Sequence, residues 1–101
     1  MGKNSYQTFM EEAPEAAAAF NGLIGSLQNT GLDPKTMQLI YIGIKASQGG
    51  AAAVAAHVPM AKRAGATWDE IKSAILLTLT VSGVSGVLAC LAPALEAYNA
   101  D

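Results

Sequence analysis

The chain has 101 residues, of which 51% are hydrophobic and 14% are charged, and its formal net charge is −2. This length predicts one small domain, 1–101, because single domains commonly hold about 50 to 200 residues. The near-neutral charge, with no basic cluster beyond Lys62-Arg63, argues against nucleic acid as a partner, since its capture needs several phosphate contacts. So much apolar surface on a short chain favours either self-association or a membrane.

The uncharged run from Ser73 to Leu95 bears on the choice between these two. It is long enough to cross a bilayer, and its glycine and serine spacing would suit packed transmembrane helices. However, Ser, Thr and Gly interrupt it repeatedly and no basic cluster would orient it, so we expect two buried helices and no membrane partner. The acidic N-terminal region and the single cysteine, Cys90, favour a cytoplasmic protein without an intramolecular disulfide.

Two helices are expected in the first half of the chain. The first lies within residues 4–28, and its main part begins at Pro14 because proline is tolerated in a first turn. Asp33 and Pro34 suit the N-cap and the first position of a second helix, which is apolar on nearly all sides and should be buried. Its polar residues recur at helical spacing and share one stripe: Gln38, Tyr41, Lys45 and Gln48.

Three more helices complete the prediction. The third is expected from Ala51 to Ala64, after a break at Gly49-Gly50, because glycine costs about 1 kcal/mol relative to alanine inside a helix. Gly65 ends this helix, and a capping box of Thr67 and Glu70 opens the fourth. A break across residues 82–86 precedes a last helix that ends at about Tyr98. No alternating strand pattern occurs, so the predicted fold class is all-α with about five helices.

Three stretches carry a family resemblance. LDPKTMQLI opens the second helix, AAH ends on His57, and RAGATWDEIKSAI opens the fourth helix. In this order they resemble the carboxymuconolactone decarboxylase family, including its alkyl hydroperoxidase D-like branch, over about residues 32–95. The resemblance implies an all-α bundle with a central antiparallel helix pair, assembled as a homo-trimer or homo-hexamer. Such an assembly agrees with the excess of apolar surface.

The chain departs from the hydroperoxidase-like branch at its reactive positions. That branch carries a C-x-x-C-x-x-x-H pattern ending on the histidine and a glutamate one helix earlier. Counted from His57, these positions are Gly50, Ala53 and Gln38 here. A thiol redox cycle needs a low-pKa thiolate and a resolving thiol, and an amide cannot shuttle a proton as a glutamate does. The resemblance therefore implies the fold of that branch without its peroxidase chemistry.

The decarboxylase branch lacks the cysteines and keeps the histidine. It places polar groups just before the histidine, where this chain has alanines and a valine at 51–56. A diacid-lactone substrate would also need cationic partners for its carboxylates, and the candidates are Lys45, Lys62 and Arg63. Of these, only Lys45 lies on the helix predicted to be buried.

His57, the only histidine, has two interpretations. It is either a neutral core histidine hydrogen-bonded to a carbonyl or to Gln38, or the acid/base group of a pocket between the second, third and fourth helices. In the second case Gln38, Tyr41 and Lys45 would bind a small anionic or carbonyl-containing ligand. Too few ligands surround His57 for a metal site, and no cofactor is expected.

Two classes of function therefore stay open. The chain is either a small-molecule enzyme or binding protein, with a non-redox acid/base reaction of the lyase, decarboxylase or isomerase kind, or a catalytically inactive oligomeric relative with a structural or partner-binding role. Cys90 is either a nucleophile supported by His57 or a small buried hydrophobe.

Overall fold

The computed structural model describes residues 2–28 and 30–100. Within these ranges it contains six α-helices, one 3-10 helix and no β-strand, which confirms the all-α prediction. The additional helix lies before Pro14, where the sequence predicted no separate element. The chain divides into two compact units between Gly31 and Leu32. The single domain expected over 1–101 stays a prediction.

The first unit is a pair of helices, α1 from Ser5 to Glu12 and α2 from Pro14 to Ser26. A capping box begins α1, because the Asn4 side chain accepts the backbone N–H of Gln7 at 2.8 Å and the Gln7 side chain accepts that of Asn4 at 2.9 Å. Pro14 stands at the start of α2, as predicted, because a proline there gives up an N–H that has no intrahelical partner.

The second unit begins with a helical hairpin. Helix α3 runs from Pro34 to Ser47 and α4 from Ala51 to Arg63, and a three-residue turn joins them. Asp33 caps α3 by accepting the backbone N–H of Thr36 at 2.8 Å. Gly49 in the turn has a φ of 73°, a left-handed conformation that glycine adopts without steric cost. The two helices pack against each other, and two of the predicted site residues, Gln38 of α3 and His57 of α4, face each other across this contact.

The remaining elements are α5 from Trp68 to Leu77, the 3-10 helix from Thr78 to Thr80, and α6 from Ser85 to Asn99. The predicted capping box begins α5: the backbone N–H of Glu70 donates to the Thr67 hydroxyl at 3.1 Å, and that of Thr67 donates to the Glu70 carboxylate at 2.9 Å. Glu70 also accepts a hydrogen bond from Lys35 at 3.0 Å, which ties the start of α5 to the start of α3.

Small and branched apolar residues form the core of the second unit. Helix α4 packs most extensively against α6 and α3, and α3 also packs against α5. Alanine and cysteine side chains at these contacts allow the helices to approach closely. The buried hydrophobic residues of this core are Ile42, Ala46, Val54, Val58, Ala61, Ala66, Ile71, Ile75, Val87, Cys90 and Ala94.

The uncharged run from Ser73 to Leu95 is divided between α5, the 3-10 helix and α6, with Gly83 at a φ of 86° in the turn before α6. None of the helices in the described residues has both the length and the apolar character to span a membrane.

Candidate functional site

The imidazole of His57 lies between α4 and α3. Its Nδ1 is 2.9 Å from Oε1 of Gln38, and its ring stacks on that of Tyr41 with centroids 3.8 Å apart and planes inclined by 23°. Gln38 and Tyr41 are neighbours on α3 because they are three residues apart on a helix. Both reach His57, which is half-buried on α4. Two contacts from one helix thus fix the position and the plane of the ring.

Two effects keep the ring neutral. Burial lowers the pKa of His57 below its ordinary value of 6.5, because desolvation disfavours the charged form, and the positive charge of Lys45 lowers it further. The neutral imidazole has one nitrogen that donates a hydrogen bond and one that accepts. At pH 7 the side chain is therefore suited to take up a proton or to bind a ligand.

Lys45 lies one turn beyond Tyr41 on α3 and is half-buried. The aliphatic part of its side chain lies close to Gly50, because a Cβ added at Gly50 would be 3.5 Å from the Lys45 Cδ. By the sequence resemblance, Gly50 is expected at the position of the first cysteine of the hydroperoxidase-like pattern. In this chain the backbone of the glycine lies against the lysine stem instead.

The two other cations predicted as ligand partners, Lys62 and Arg63, lie in the last turn of α4. Lys62 is at the end of α4, where its Nζ donates to the backbone carbonyl of Tyr98 at 2.8 Å and lies 4.5 Å from the centre of that ring. Trp68 packs against the same tyrosine with ring centroids 5.9 Å apart. This cluster holds the end of α6 against α4, and it leaves Lys45 as the cation that acts on His57.

The four residues predicted from the sequence thus have different positions. Gln38 and Tyr41 contact His57 directly, whereas Lys45 influences it through its charge, without a hydrogen bond to it in the described residues. Cys90 lies in the core on α6, where burial raises the pKa of its thiol and so disfavours the thiolate. A buried hydrophobe is therefore the better interpretation of Cys90.

A concave surface lies on another part of α3. It is an apolar groove of about 420 Å³ between α3, α5 and the 3-10 helix, and His57 does not line it. We refer to it as the α3–α5 groove. The residues that line it are Thr36, Leu39, Ile40, Gly43, Ile44, Ser47, Ala74, Leu77, Thr78 and Val81.

This groove was not predicted from the sequence. The apolar pattern of α3 predicted burial on most sides, but Ile40 and Ile44 of this helix are exposed. Leu77 and Val81, which line the groove from the other side, are exposed at 66% and 78%. The signal was present in the helix itself, because a helix that is apolar all round needs partners on every side. In this chain α4, α5 and α6 cover only part of α3.

No group of three or more His, Cys, Asp or Glu side chains arranged to hold a metal ion lies in the part of the chain that the structure describes.

These features define a small all-α protein with a single histidine held between the helices of a hairpin. The family model of the carboxymuconolactone decarboxylase family matches residues 12–96. Because the match spans most of the chain, the protein belongs to this family, and the resemblance seen in its sequence is confirmed. Comparison with curated proteins and with solved structures returned no match.

The environment of His57 predicts a pH dependence of stability. The unfolded ring takes up a proton near pH 6.5, before the folded ring does, so the stabilisation is complete above this pH and is lost as the pH falls towards the lowered pKa. We expect the free energy of unfolding to decrease as the pH falls from 7.5 to about 5, measured by urea unfolding.

A His57→Gln variant serves as the control, because it removes the titrating group while keeping a polar side chain. Its stability should change less over the same range. Backbone hydrogen bonds from Thr36 and Thr67 lower the pKa of Asp33 and of Glu70, respectively, so these carboxylates lose their stabilising effect only at lower pH. Parallel pH profiles of the two proteins would show that His57 does not titrate differently on folding.

Proposed function

We propose that the chain is a small-molecule enzyme or binding protein of the carboxymuconolactone decarboxylase family, with His57 as a neutral acid/base group. The observation that carries this proposal is the half-buried imidazole, stacked on Tyr41, hydrogen-bonded to Gln38 and placed in the field of Lys45. A histidine can act as a general base only when its ring is neutral at the working pH and held in position. The proposed reaction class is a non-redox proton transfer of the lyase, decarboxylase or isomerase kind.

The charges around the site support a ligand class. Lys45 is a cation beside a neutral ring, so an anionic or carbonyl-containing ligand gains a favourable interaction there. The side-chain carbonyl of Gln38 is engaged by His57, and one face of the Tyr41 ring is covered by it. We therefore assign Lys45 and the Tyr41 hydroxyl to ligand binding and give Gln38 a supporting position.

The thiol content supports non-redox chemistry. Cys90 is the only cysteine of the sequence, and it lies in the core with a raised pKa. A thiol peroxidase cycle requires a reactive thiolate and a second thiol that resolves the oxidised one. Gly50 and Ala53 stand where the hydroperoxidase-like branch has that pair.

A thermal-shift screen tests the proposal. Lactones, aromatic diacids and quinones are each added to the wild type, to His57→Ala and to Lys62→Ala. Lys62→Ala is the control, because Lys62 contacts Tyr98. A ligand at 100 times its Kd adds about 2.7 kcal/mol to the stability, which corresponds to a rise in Tm of roughly 10 °C or more for a chain of this size. We expect the rise in the wild type and in Lys62→Ala and its loss in His57→Ala. An equal rise in Tm in all three proteins would contradict ligand binding at His57.

The α3–α5 groove supports a second candidate function. Its exposed isoleucine, leucine and valine side chains are typical of a surface that another protein covers. In this alternative the chain is a catalytically inactive relative whose role is structural, and its partner is a second copy within a homo-trimer or homo-hexamer. Here His57→Ala would change stability alone, and the groove rather than the histidine would carry the function. A cytoplasmic location stays an expectation in both cases.

A further inference from the structure

We propose that Gln38 is a positioning residue that holds the neutral ring of His57 in one tautomer, with the proton on Nδ1 and a free lone pair on Nε2. The geometry is direct: Oε1 of Gln38 lies 2.9 Å from Nδ1. A carbonyl oxygen only accepts hydrogen bonds, so the nitrogen that faces it must donate. The hydrogen bond made by one ring nitrogen decides the protonation of the other.

Tyr41 makes this arrangement specific. The ring of His57 lies 3.8 Å from that of Tyr41, nearly parallel to it, so the imidazole cannot rotate out of plane without losing the stacking contact. In the described residues Nε2 has no hydrogen-bond partner, while Nδ1 has Gln38. The lone pair of Nε2 is thus left for a ligand.

An amide suits this position better than a carboxylate would. A glutamate at residue 38 would stabilise the imidazolium and raise the pKa of His57, since an opposite charge favours the charged form. Gln38 accepts the same hydrogen bond without adding a charge, and Lys45 on the same helix acts in the opposite direction from a carboxylate. The ring therefore keeps both its orientation and its neutrality.

This inference narrows the ligand class and in that respect rests on the proposed function. A bare Nε2 accepts a hydrogen bond, so the ligand must present a hydroxyl, an N–H or an acidic C–H beside a carbonyl, with its anionic group near Lys45. In a proton transfer, the O–H or C–H bond of the ligand breaks and a bond forms between that proton and Nε2. The electron pair stays on the ligand as an alkoxide or enolate, and the imidazolium then returns the proton.

Nitrogen NMR of the imidazole tests the tautomer without any ligand. Because the chain has one histidine, the ring of a uniformly labelled sample gives a single pair of nitrogen signals. At a pH where the ring is neutral, we expect the shift of a protonated nitrogen for Nδ1 and that of an unprotonated nitrogen for Nε2. The reverse pattern would mean that the amide of Gln38 donates to Nδ1, and it would overturn the inference.

Three variants separate positioning from general packing. Gln38→Met removes the acceptor at similar length and should give intermediate shifts for both nitrogens, because the tautomer is no longer fixed. Gln38→Glu restores an acceptor, so it should keep the Nδ1–H pattern in the neutral ring and raise the pKa of His57. Gln48→Met, at the exposed residue that directly follows α3, should change neither the tautomer nor the pKa of His57.

An unchanged pattern in Gln38→Met, or a lost one in Gln38→Glu, would overturn the role of Gln38. The ligand screen tests the proposed function separately. A fixed Nδ1–H tautomer without any thermal shift on ligand addition would contradict the proposed function and leave the positioning role of Gln38 intact. A ligand that stabilises the wild type and not His57→Ala, in a protein with the reverse tautomer, would support the proposed function and contradict the positioning role of Gln38.

Discussion

Gly86→Ala is expected to destabilise the second unit by about 3 kcal/mol or more. Gly86 is buried at the start of α6, where an added Cβ would collide with the backbone carbonyl oxygen of Ala46 on α3 and lie 2.9 Å from its carbonyl carbon. Overpacking of a core costs about 1 to 3 kcal/mol when side chains can adjust. Here the obstacle is backbone, so α3 and α6 must move apart, and we expect a cost at the upper end of that range or beyond.

Urea unfolding measures the effect, and Gly43→Ala is its matched control. A Cβ at Gly43 would lie 3.5 Å from the carbonyl oxygen of Ala74, an ordinary van der Waals contact. Because glycine inside a helix is less stable than alanine by roughly 0.5 to 1 kcal/mol, this variant should equal or exceed the wild type in stability. Replacing glycine by alanine should therefore lower the free energy of unfolding at residue 86 and leave it equal or raise it at residue 43. Equal stability of both variants would show that α6 does not approach α3 as closely as described.

Chain reversals and helix starts were predictable because their chemistry is local. The N-cap at Asp33, the capping box of Thr67 and Glu70, and the left-handed Gly65 after α4 each depend on a few consecutive residues. The role of Gly86 was not predictable in this way. The sequence placed it in a break between helices, where Gly83 supplies the left-handed turn, whereas Gly86 is required by the carbonyl of a helix 40 residues away.

The candidate site was predictable in part for a related reason. The stripe of Gln38, Tyr41 and Lys45 follows from helical spacing, so the sequence identified which side chains share a face of α3. It left open whether His57 bonds to a backbone carbonyl or to Gln38, because that depends on how α4 lies against α3. The structure shows the bond to Gln38. The α3–α5 groove escaped prediction since it depends on which faces of α3 its neighbours leave uncovered.

Leu77→Lys is expected to convert an assembly of the chain into a monomer of 10.3 kDa. Leu77 lines the α3–α5 groove with 66% of its surface exposed. If a second copy covers the groove, the substitution removes part of the 1.5 to 3 kcal/mol that full burial of a leucine contributes. It also places an unpaired ammonium in the contact, where desolvation costs several kcal/mol more. Because these losses occur at each contact of a symmetric assembly, their sum exceeds the favourable free energy of association.

Light scattering with size-exclusion chromatography gives the mass, and Leu95→Lys is the control, since it adds the same charge at an exposed leucine of α6 outside the groove. The wild type and Leu95→Lys should have three or six times the mass of one chain, and Leu77→Lys should have the mass of one chain, 10.3 kDa. A wild-type monomer would contradict the expected homo-trimer or homo-hexamer. An assembled Leu77→Lys protein would show instead that the copies meet elsewhere, and the groove would then be open to a small apolar ligand, as its volume of about 420 Å³ allows.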